Sequence, residues 1–490
     1  MQIVELIDLV KEVIQQKAER QNLEIKAAHI ECPKRLYDTI SAFSNQDGGG
    51  IILFGIDENA AFSPVGIYDR QDLQKKVMEQ CNQMEPPARA VFTFAEFDGA
   101  PVMSAEIPGL DYGDRPCYYR GSGRLKGSYI RVGDADMPMT DYEIFSYESF
   151  RQRKYYDEQP VPRATMQHLD SEKLAQYLSR KKHERPKFAL LTDSEAMEFM
   201  NITHNGIPTL AAVLNFGLYP QAFFPQLSIT AVAIPGENMG DTGPDSARFS
   251  DNRRIEGQPS EMVEEAIAFC IRNTKVKIII DAKTGQRFDR YEYPVDALRE
   301  IFINAIIHRD YSQHTIGTPI QIRIFRNRLE VHSPGTLYGR MTVEQLGNCS
   351  PDLRNPTLAV MTEGISGVEN RYSGIPTIRR EMAAAGLPAP IFENRRNEFV
   401  VILFNEINPV DTPSTQSPRN HPASSDEERM CAILTFCQTP KTRKEIAAHL
   451  GLKTIFFISG KYLQPLVNAG KLKMTKPDKP KSRNQKFYTA

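Results

Sequence analysis

The stretch YEYPVDALREIFINAIIHRDY, residues 291–311, decides how this chain is read. Pro294 stands where a helix can begin, because the N–H it lacks is one that a first helical turn leaves unbonded anyway. Beyond it, Leu298, Phe302, Ala305 and Ile306 form one apolar face, while Glu300, Asn304 and His308 recur every fourth residue on another. Three polar side chains stacked on one stripe of an otherwise apolar helix are costly to bury unless they line a pocket. The spacing therefore predicts a helix with a binding site along it.

Working outward, TPIQIRIFRNRLEVHSPG (318–335) alternates as two strands joined near Arg326-Asn327-Arg328 and ends in the turn Ser333-Pro334-Gly335. NPTLAVMTEGISGVENRYSGIPTIRREM (355–382) follows, with Gly374 opening a helix whose first amides are placed to receive phosphate. On these motifs, residues 294–404 resemble the GHKL ATPases, the class of gyrase and the histidine kinases. The wording N-A-x-x-H-R-D-Y is closest to the divergent subfamily found behind Schlafen-like domains in bacterial regulators. The resemblance implies ATP and Mg²⁺ as cofactors, with Asn304 as the metal ligand and Glu300 as general base of any hydrolysis. His308, Arg309, Gly335 and Gly374 would complete the nucleotide site. Two departures stand out: the adenine-reading Asp of the usual Asp-x-Gly-x-Gly box is missing, and Ser373-Gly374-Ile375 replaces a Gly-x-Gly. No segment fits G-x-x-x-x-G-K-[ST], which excludes a P-loop NTPase and argues against a helicase.

Toward the N-terminus, MQIVELIDLVKEVIQQ has amphipathic helical spacing and lacks a basic start or a small-residue cleavage site. LEIK (23–26) is expected as a strand, residues 33–45 as a helix carrying Leu36, Ile40 and Phe43, and IILFGID after Asp47-Gly-Gly-Gly50 as a buried strand. AVFTFAEF and PVMSAEI flank the turn signal Asp98-Gly99, and SYIRVG precedes Asp134. The order LEIK, helix, SAFSNQDGGGIILFGIDEN and GSYIRVGDADMPM resembles the Schlafen AlbA-like nucleic-acid-binding domain over residues 15–150. Arg115, Arg120, Arg124, Lys126 and Arg131 around Tyr118 and Tyr119 form a candidate track for DNA or RNA, suited to backbone neutralisation with base stacking. In Schlafen members that cut transfer RNA, three carboxylates hold metal, and the matching positions here are Glu19, Glu24 and Asp57. The alternative reading is thus a metal-dependent RNase, possible in a defence setting. Against it, Glu24 can pair with Lys26, Asp57 can cap a turn before Glu58-Asn59, and Glu19 can be an exposed helical residue.

Toward the C-terminus, NPVDTPSTQSPRNHPASS (408–425) holds four Pro and six Ser or Thr and reads as a flexible linker. The helix–turn–helix pattern of TRKEIAAHLGLK, the helix-like TIFFISGKYLQPLVNAGKL and two lysine-rich strands then resemble a winged helix. This resemblance implies DNA binding through Lys453, Lys461, Lys479, Lys481 and Arg483. Gly460 and Pro465 within the third helix suggest a kinked or shortened recognition element.

The composition fits this division. Lys plus Arg number 60 and Asp plus Glu 61, but the last fifty residues hold twelve cations against Glu445 and Asp478, so an acidic body is offset by a basic tail. Seven dispersed cysteines show no zinc-site spacing. No apolar run approaches the ~18 to 20 residues that cross a bilayer, so a cytoplasmic address without a membrane partner is expected. The expected architecture is α+β and multidomain: a Schlafen-like α/β domain (1–157), a connector (158–290), a GHKL-like α/β sandwich (291–407), a linker (408–425) and a winged helix (426–490). The expected function is an ATP-binding, DNA-binding transcriptional regulator that forms a homo-oligomer.

Overall fold

The computed structural model describes residues 1–243, 246–280, 287–366 and 374–405, and short stretches of the C-terminal region between 433 and 489. The chain divides into two compact units, Met1–Ile407 and Asn408–Ala490.

The larger unit opens with a four-stranded sheet in the order Leu23–Lys26, Gly50–Phe54, Ala100–Ile107, Val91–Phe97. The first pair is parallel, with Leu23 opposite Ile51, and the helix Tyr37–Ser44 makes the crossover. One face packs Ile52, Phe54, Met103 and Ala105 against Leu36, Ile40 and Phe43 of that crossover and against Leu73 and Val77 of the helix Arg70–Asn82. The other face covers Leu23, Ile25 and Leu53 with Leu6, Val10 and Val13 of the helix Ile3–Gln16. The glycine run has a steric reason. A Cβ on Gly50 would lie 2.4 Å from the Phe43 ring, and Gly49, at φ +62°, would place one 2.2 Å from the Ile107 carbonyl oxygen. Asp98 and Gly99 both take positive φ, as a two-residue hairpin turn requires.

A capping box between Thr140 and Glu143 starts the helix Asp141–Arg151, which ends this lobe. A helical layer follows, with Ser171–Glu184, Asp193–Phe199 and Leu210–Phe216 packed on the buried side chains of Leu174, Tyr177 and Leu178.

The second sheet corrects the expected boundary at 290/291. Its order is Asp251–Ile255, Ile229–Ala233, Ile320–Ile324, Arg328–Pro334, Glu398–Phe404, Ile391–Asn394. Two of these strands come from the expected connector, and Ile229–Ala233 pairs in parallel with Ile320–Ile324. The helices Pro259–Asn273, Val295–His308 and Gly374–Ala384 share one core with this sheet, in which Phe269, Phe302 and Met382 are fully buried. The α/β sandwich therefore begins near residue 229. Mixed α/β lobes, as expected, make up the larger unit.

In the C-terminal unit, the described strands run in the order Lys441–Thr442, Lys486–Thr489, Leu472–Met474 and are antiparallel. Ile433, Ile446, Leu463, Leu466 and Phe487 are buried together. Lys453, Lys461, Lys479, Lys481 and Arg483 lie outside the described residues, as does Gly460.

Candidate functional site

The helix Val295–His308 buries Leu298, Ile301, Phe302 and Ile306 and turns Asn304 and His308 into a cleft of about 320 Å³. Val331 and Ser333 of one strand, Gly335 just after it, and Phe399 and Val401 of the neighbouring strand form the floor, and Glu363 of the helix Pro356–Ser366 closes one side. The alternation of the strands selects these residues, since Val331 and Ser333 point to one face.

Glu300 and Asn304 are coupled by a 3.1 Å hydrogen bond from Asn304 Nδ2 to Glu300 Oε1. Burial raises the Glu300 carboxyl above its ordinary range, and the Asn304 bond opposes part of that rise. The helix Gly374–Ala384 begins directly against this pair. A Cβ on Gly374 would lie 2.2 Å from Glu300 Oε1 and 2.8 Å from Asn304 Nδ2. The first turn of a helix exposes unbonded amides with partial positive charge, and here that turn meets the cleft beside the Asn304 amide. Glu300 itself does not line the cleft, whereas Asn304 and Gly374 do.

His308 lies on the cleft wall, and burial together with the Arg354 charge lowers its pKa to about 4, so it is neutral at pH 7. Gly335, at φ +105°, allows the chain to pass Arg354 and Asp310, which a Cβ would approach to 2.4 and 2.6 Å. Arg309 corrects the expectation. It is 2% exposed, donates to the carbonyls of Asp310, Thr315 and Thr318, and lies away from the cleft. Its role is to tie down the loop after the helix.

Three cleft-side residues carried no sequence signal. Tyr338 lines the cleft, and the buried Arg354 lies over its ring at 5.1 Å while donating to the Thr336 carbonyl. Asp352 also reaches the wall, where Oδ2 accepts the Arg340 N–H at 3.1 Å. The missing acid of the glycine box thus has a carboxylate elsewhere on the same cleft. No Lys or Arg lines the cleft among the described residues.

The loop carrying Tyr338 and Arg340 also touches the first lobe. Phe150 of the helix Asp141–Arg151 meets the Tyr338 ring at 5.4 Å, and Arg340 pairs with Asp111 at 3.2 Å. Arg396 reaches Glu143 at 3.3 Å.

In the first lobe the expected carboxylate trio is not assembled. Arg131, 4% exposed, sits among Glu24 at 2.8 Å, Asp136 at 2.8 Å and Glu19 at 3.7 Å. Glu19 Oε1 also accepts the Ile25 N–H, and Glu24 pairs with Lys26. Burial chiefly, with the neighbouring Glu24 and Glu58 charges, raises Glu19 to about 7. Asp57 instead accepts the Asn59 N–H in a turn. No group of three His, Cys, Asp or Glu among the described residues is arranged to hold a metal ion. Arg131 is equally corrected as a phosphate contact, because a buried guanidinium shared by three carboxylates has no charge to spare.

Of the remaining track, Arg120 pairs with Glu85 and Arg124 with Glu148, while the exposed Lys126 has no ion-pair partner among the described residues. Arg115 is buried against Asp47. Tyr37 and Tyr119 stack at 3.8 Å beside this track. Among the described residues no helix is long and apolar enough to cross a membrane. The described cysteines are free, and only Cys349, on the cleft wall, is exposed among them.

Comparison with known proteins divides the chain similarly. Residues 19–140 match the family model "Schlafen, AlbA_2". Residues 317–403 match "Putative ATP-dependent DNA helicase recG C-terminal", a histidine-kinase-type ATPase family. Residues 428–489 match "Filamentation induced by cAMP protein Fic-like, C-terminal domain". No curated protein matches the chain. Among solved structures, the DIP2311 protein of Corynebacterium diphtheriae is 19% identical over 95% of this chain and 93% of its own, at a TM-score of 0.37. The N-terminal domain of a RecG-related protein from Nitrosomonas europaea is 25% identical over 28% of this chain and 93% of its own, at 0.23. The chain is thus similar, part by part, to a Schlafen AlbA_2 domain followed by an ATPase-like domain.

Proposed function

We propose that this protein binds ATP with Mg²⁺ in the cleft and uses nucleotide occupancy to control its binding of nucleic acid, as a transcriptional regulator. The observation that carries the reading is the abutment of Gly374 on Glu300 and Asn304, which sets the first turn of that helix against the polar stripe of Val295–His308, with Gly374 and Asn304 both on the cleft lining. Asn304 would hold the magnesium, the amides at Gly374 would hold phosphate, and His308, Ser333 and Gly335 also line the cleft. Magnesium supplies charge neutralisation of the phosphates, for which the described lining offers no cation. Glu300, hydrogen-bonded to Asn304 behind the cleft lining, would be the general base if water is activated.

The first lobe supplies a nucleic-acid-binding fold, and the basic tail supplies a second contact to DNA in a winged-helix arrangement. The Tyr338–Phe150 and Arg340–Asp111 contacts give the cleft a physical route to the first lobe. The test is fluorescence anisotropy with labelled DNA and RNA, with and without ATP and Mg²⁺. The reading requires nucleic-acid affinity to change with nucleotide in the wild type and to be indifferent to it in Asn304→Ala. Nucleotide-independent binding in both proteins would overturn it.

A further inference from the structure

The strand Arg328–Pro334 serves two spaces. Its residues Val331 and Ser333 face the nucleotide cleft, while His332 and Pro334 line a second cavity of about 300 Å³. The cavity is bounded by Tyr142 of the first lobe, by His314 on the loop after the helix Val295–His308, and by Gln321 and Glu398 of the sheet. It therefore lies at the joint between the two lobes of the larger unit. Its volume is at the lower end of small-ligand sites, which run from about 300 to 1,000 Å³.

Its chemistry is selective. The buried His332 is pinned between carboxylates, with Nδ1 3.1 Å from Glu398 Oε2 and Nε2 3.0 Å from Glu330 Oε2. Among the described residues no Lys or Arg lines the cavity, and its one carboxylate, Glu398, is already paired with Arg395 at 3.2 Å, so a phosphate finds no cation on the wall. What it offers is two rings and two primary amides. The Tyr142 and His314 rings meet edge to face at 5.8 Å. Gln321 spends its oxygen on Arg323 and keeps its NH₂ group for a ligand, and Asn397 adds an exposed amide. The buried Tyr142 hydroxyl faces Asp310 and the Thr336 backbone, but in neither direction does it meet the geometry of a full hydrogen bond among the described residues. Aromatic walls with amide donors and acceptors and no cation suit a planar, uncharged, hydrogen-bonding heterocycle.

We infer that this cavity binds an uncharged nucleobase or nucleoside, at a site separate from the ATP cleft. The ligand lies against the edge-to-face pair of Tyr142 and His314 and accepts a hydrogen bond from the Gln321 amide. This inference stands independently of ATP binding.

The experiment is calorimetric titration of the full chain with adenosine, guanosine, cytidine and uridine, with the four free bases, and with the matching 5′-monophosphates. At least one nucleoside or base should bind at one site per chain, and its monophosphate should bind at least about tenfold more weakly. Gln321→Leu should weaken binding about tenfold, the scale of one lost polar contact, without changing the melting temperature of the unliganded chain by more than a few degrees. His314→Ala, on an exposed loop position, carries the same test should Gln321→Leu fail to fold. Asn304→Ala, in the other cleft, should leave nucleoside affinity unchanged. Absence of binding at millimolar ligand overturns the proposal, as does binding that Asn304→Ala weakens and Gln321→Leu does not. Equal affinity for the monophosphate overturns the assigned ligand class.

Discussion

Tyr338 lines the nucleotide cleft while its ring meets that of Phe150, on the last helix of the first lobe, nearly edge-on at 66° and 5.4 Å. A ligand that moves Tyr338 must therefore either carry Phe150 with it or break a ring contact worth about 0.5 to 1.5 kcal/mol. Phe150→Ala should leave ATP affinity within about threefold of wild type. It should also reduce the change in nucleic-acid affinity that ATP produces by about the same 0.5 to 1.5 kcal/mol. Anisotropy titrations at fixed salt, with and without nucleotide, measure both quantities.

Gly374→Ala should abolish nucleotide binding, because its methyl group would occupy the space against Glu300 Oε1. Displacing that buried carboxylate should also cost about 1 to 3 kcal/mol of stability. The paired measurements are a nucleotide titration and a urea melt. A fully functional alanine variant would mean that the helix can retreat from Glu300.

Binding of ATP should depend on the divalent ion more steeply than in sites that hold phosphates with lysine. The described cleft lining contains Asp352 and Glu363 and no Lys or Arg, so metal-free ATP brings its full negative charge to an acidic wall. With excess EDTA, affinity should fall by at least about a hundredfold, on the order of 3 kcal/mol. Calorimetry before and after adding Mg²⁺ decides this.

Asp157 gives the larger unit a pH signature. It is fully buried; Oδ2 accepts the Leu358 N–H at 2.8 Å at the start of the helix Pro356–Ser366, while Oδ1 has no partner. Burial is the main cause that raises its carboxyl from 3.8 to about 7. A raised acid binds its proton more tightly folded than unfolded. Its contribution to stability is thus complete below about 3.8 and is lost as the pH climbs through about 7. Asp157→Asn should flatten the stability profile between pH 5 and pH 8, by up to a few kcal/mol, as read from melting temperatures across that range.

Arg131→Met should destabilise the first lobe by about 3 kcal/mol or more, since it leaves Glu19, Glu24 and Asp136 without their shared cation. Arg124→Ala, which breaks an exposed pair with Glu148, should cost less than about 1 kcal/mol. Urea melts of both variants rank the two arginines.

These residues also mark what the sequence made legible. Glu300, Asn304 and His308 were readable because helical periodicity is local, and so was the Asp98-Gly99 hairpin, because positive φ restricts residue type. Arg131 was misplaced because proximity along the chain groups it with Arg120 and Arg124, although its own strand turns it inward. Asp352, Arg354 and Tyr338 sit on a loop with no period to betray their direction. The strand Ile229–Ala233 looked like connector because its parallel partner lies at Ile320–Ile324, far beyond the reach of any local pattern.

That last pairing governs how the chain can be made. During synthesis the first lobe can close as soon as its own residues emerge. The alternating apolar strand Ile229–Ala233, by contrast, has no inner neighbour until residue 324 has left the ribosome, when Ile320–Ile324 can dock beside it. A fragment ending at residue 290 would carry that strand permanently, with one of its two hydrogen-bonding sides open to other chains. Expression pieces of this protein are better cut after residue 407, where no sheet is divided.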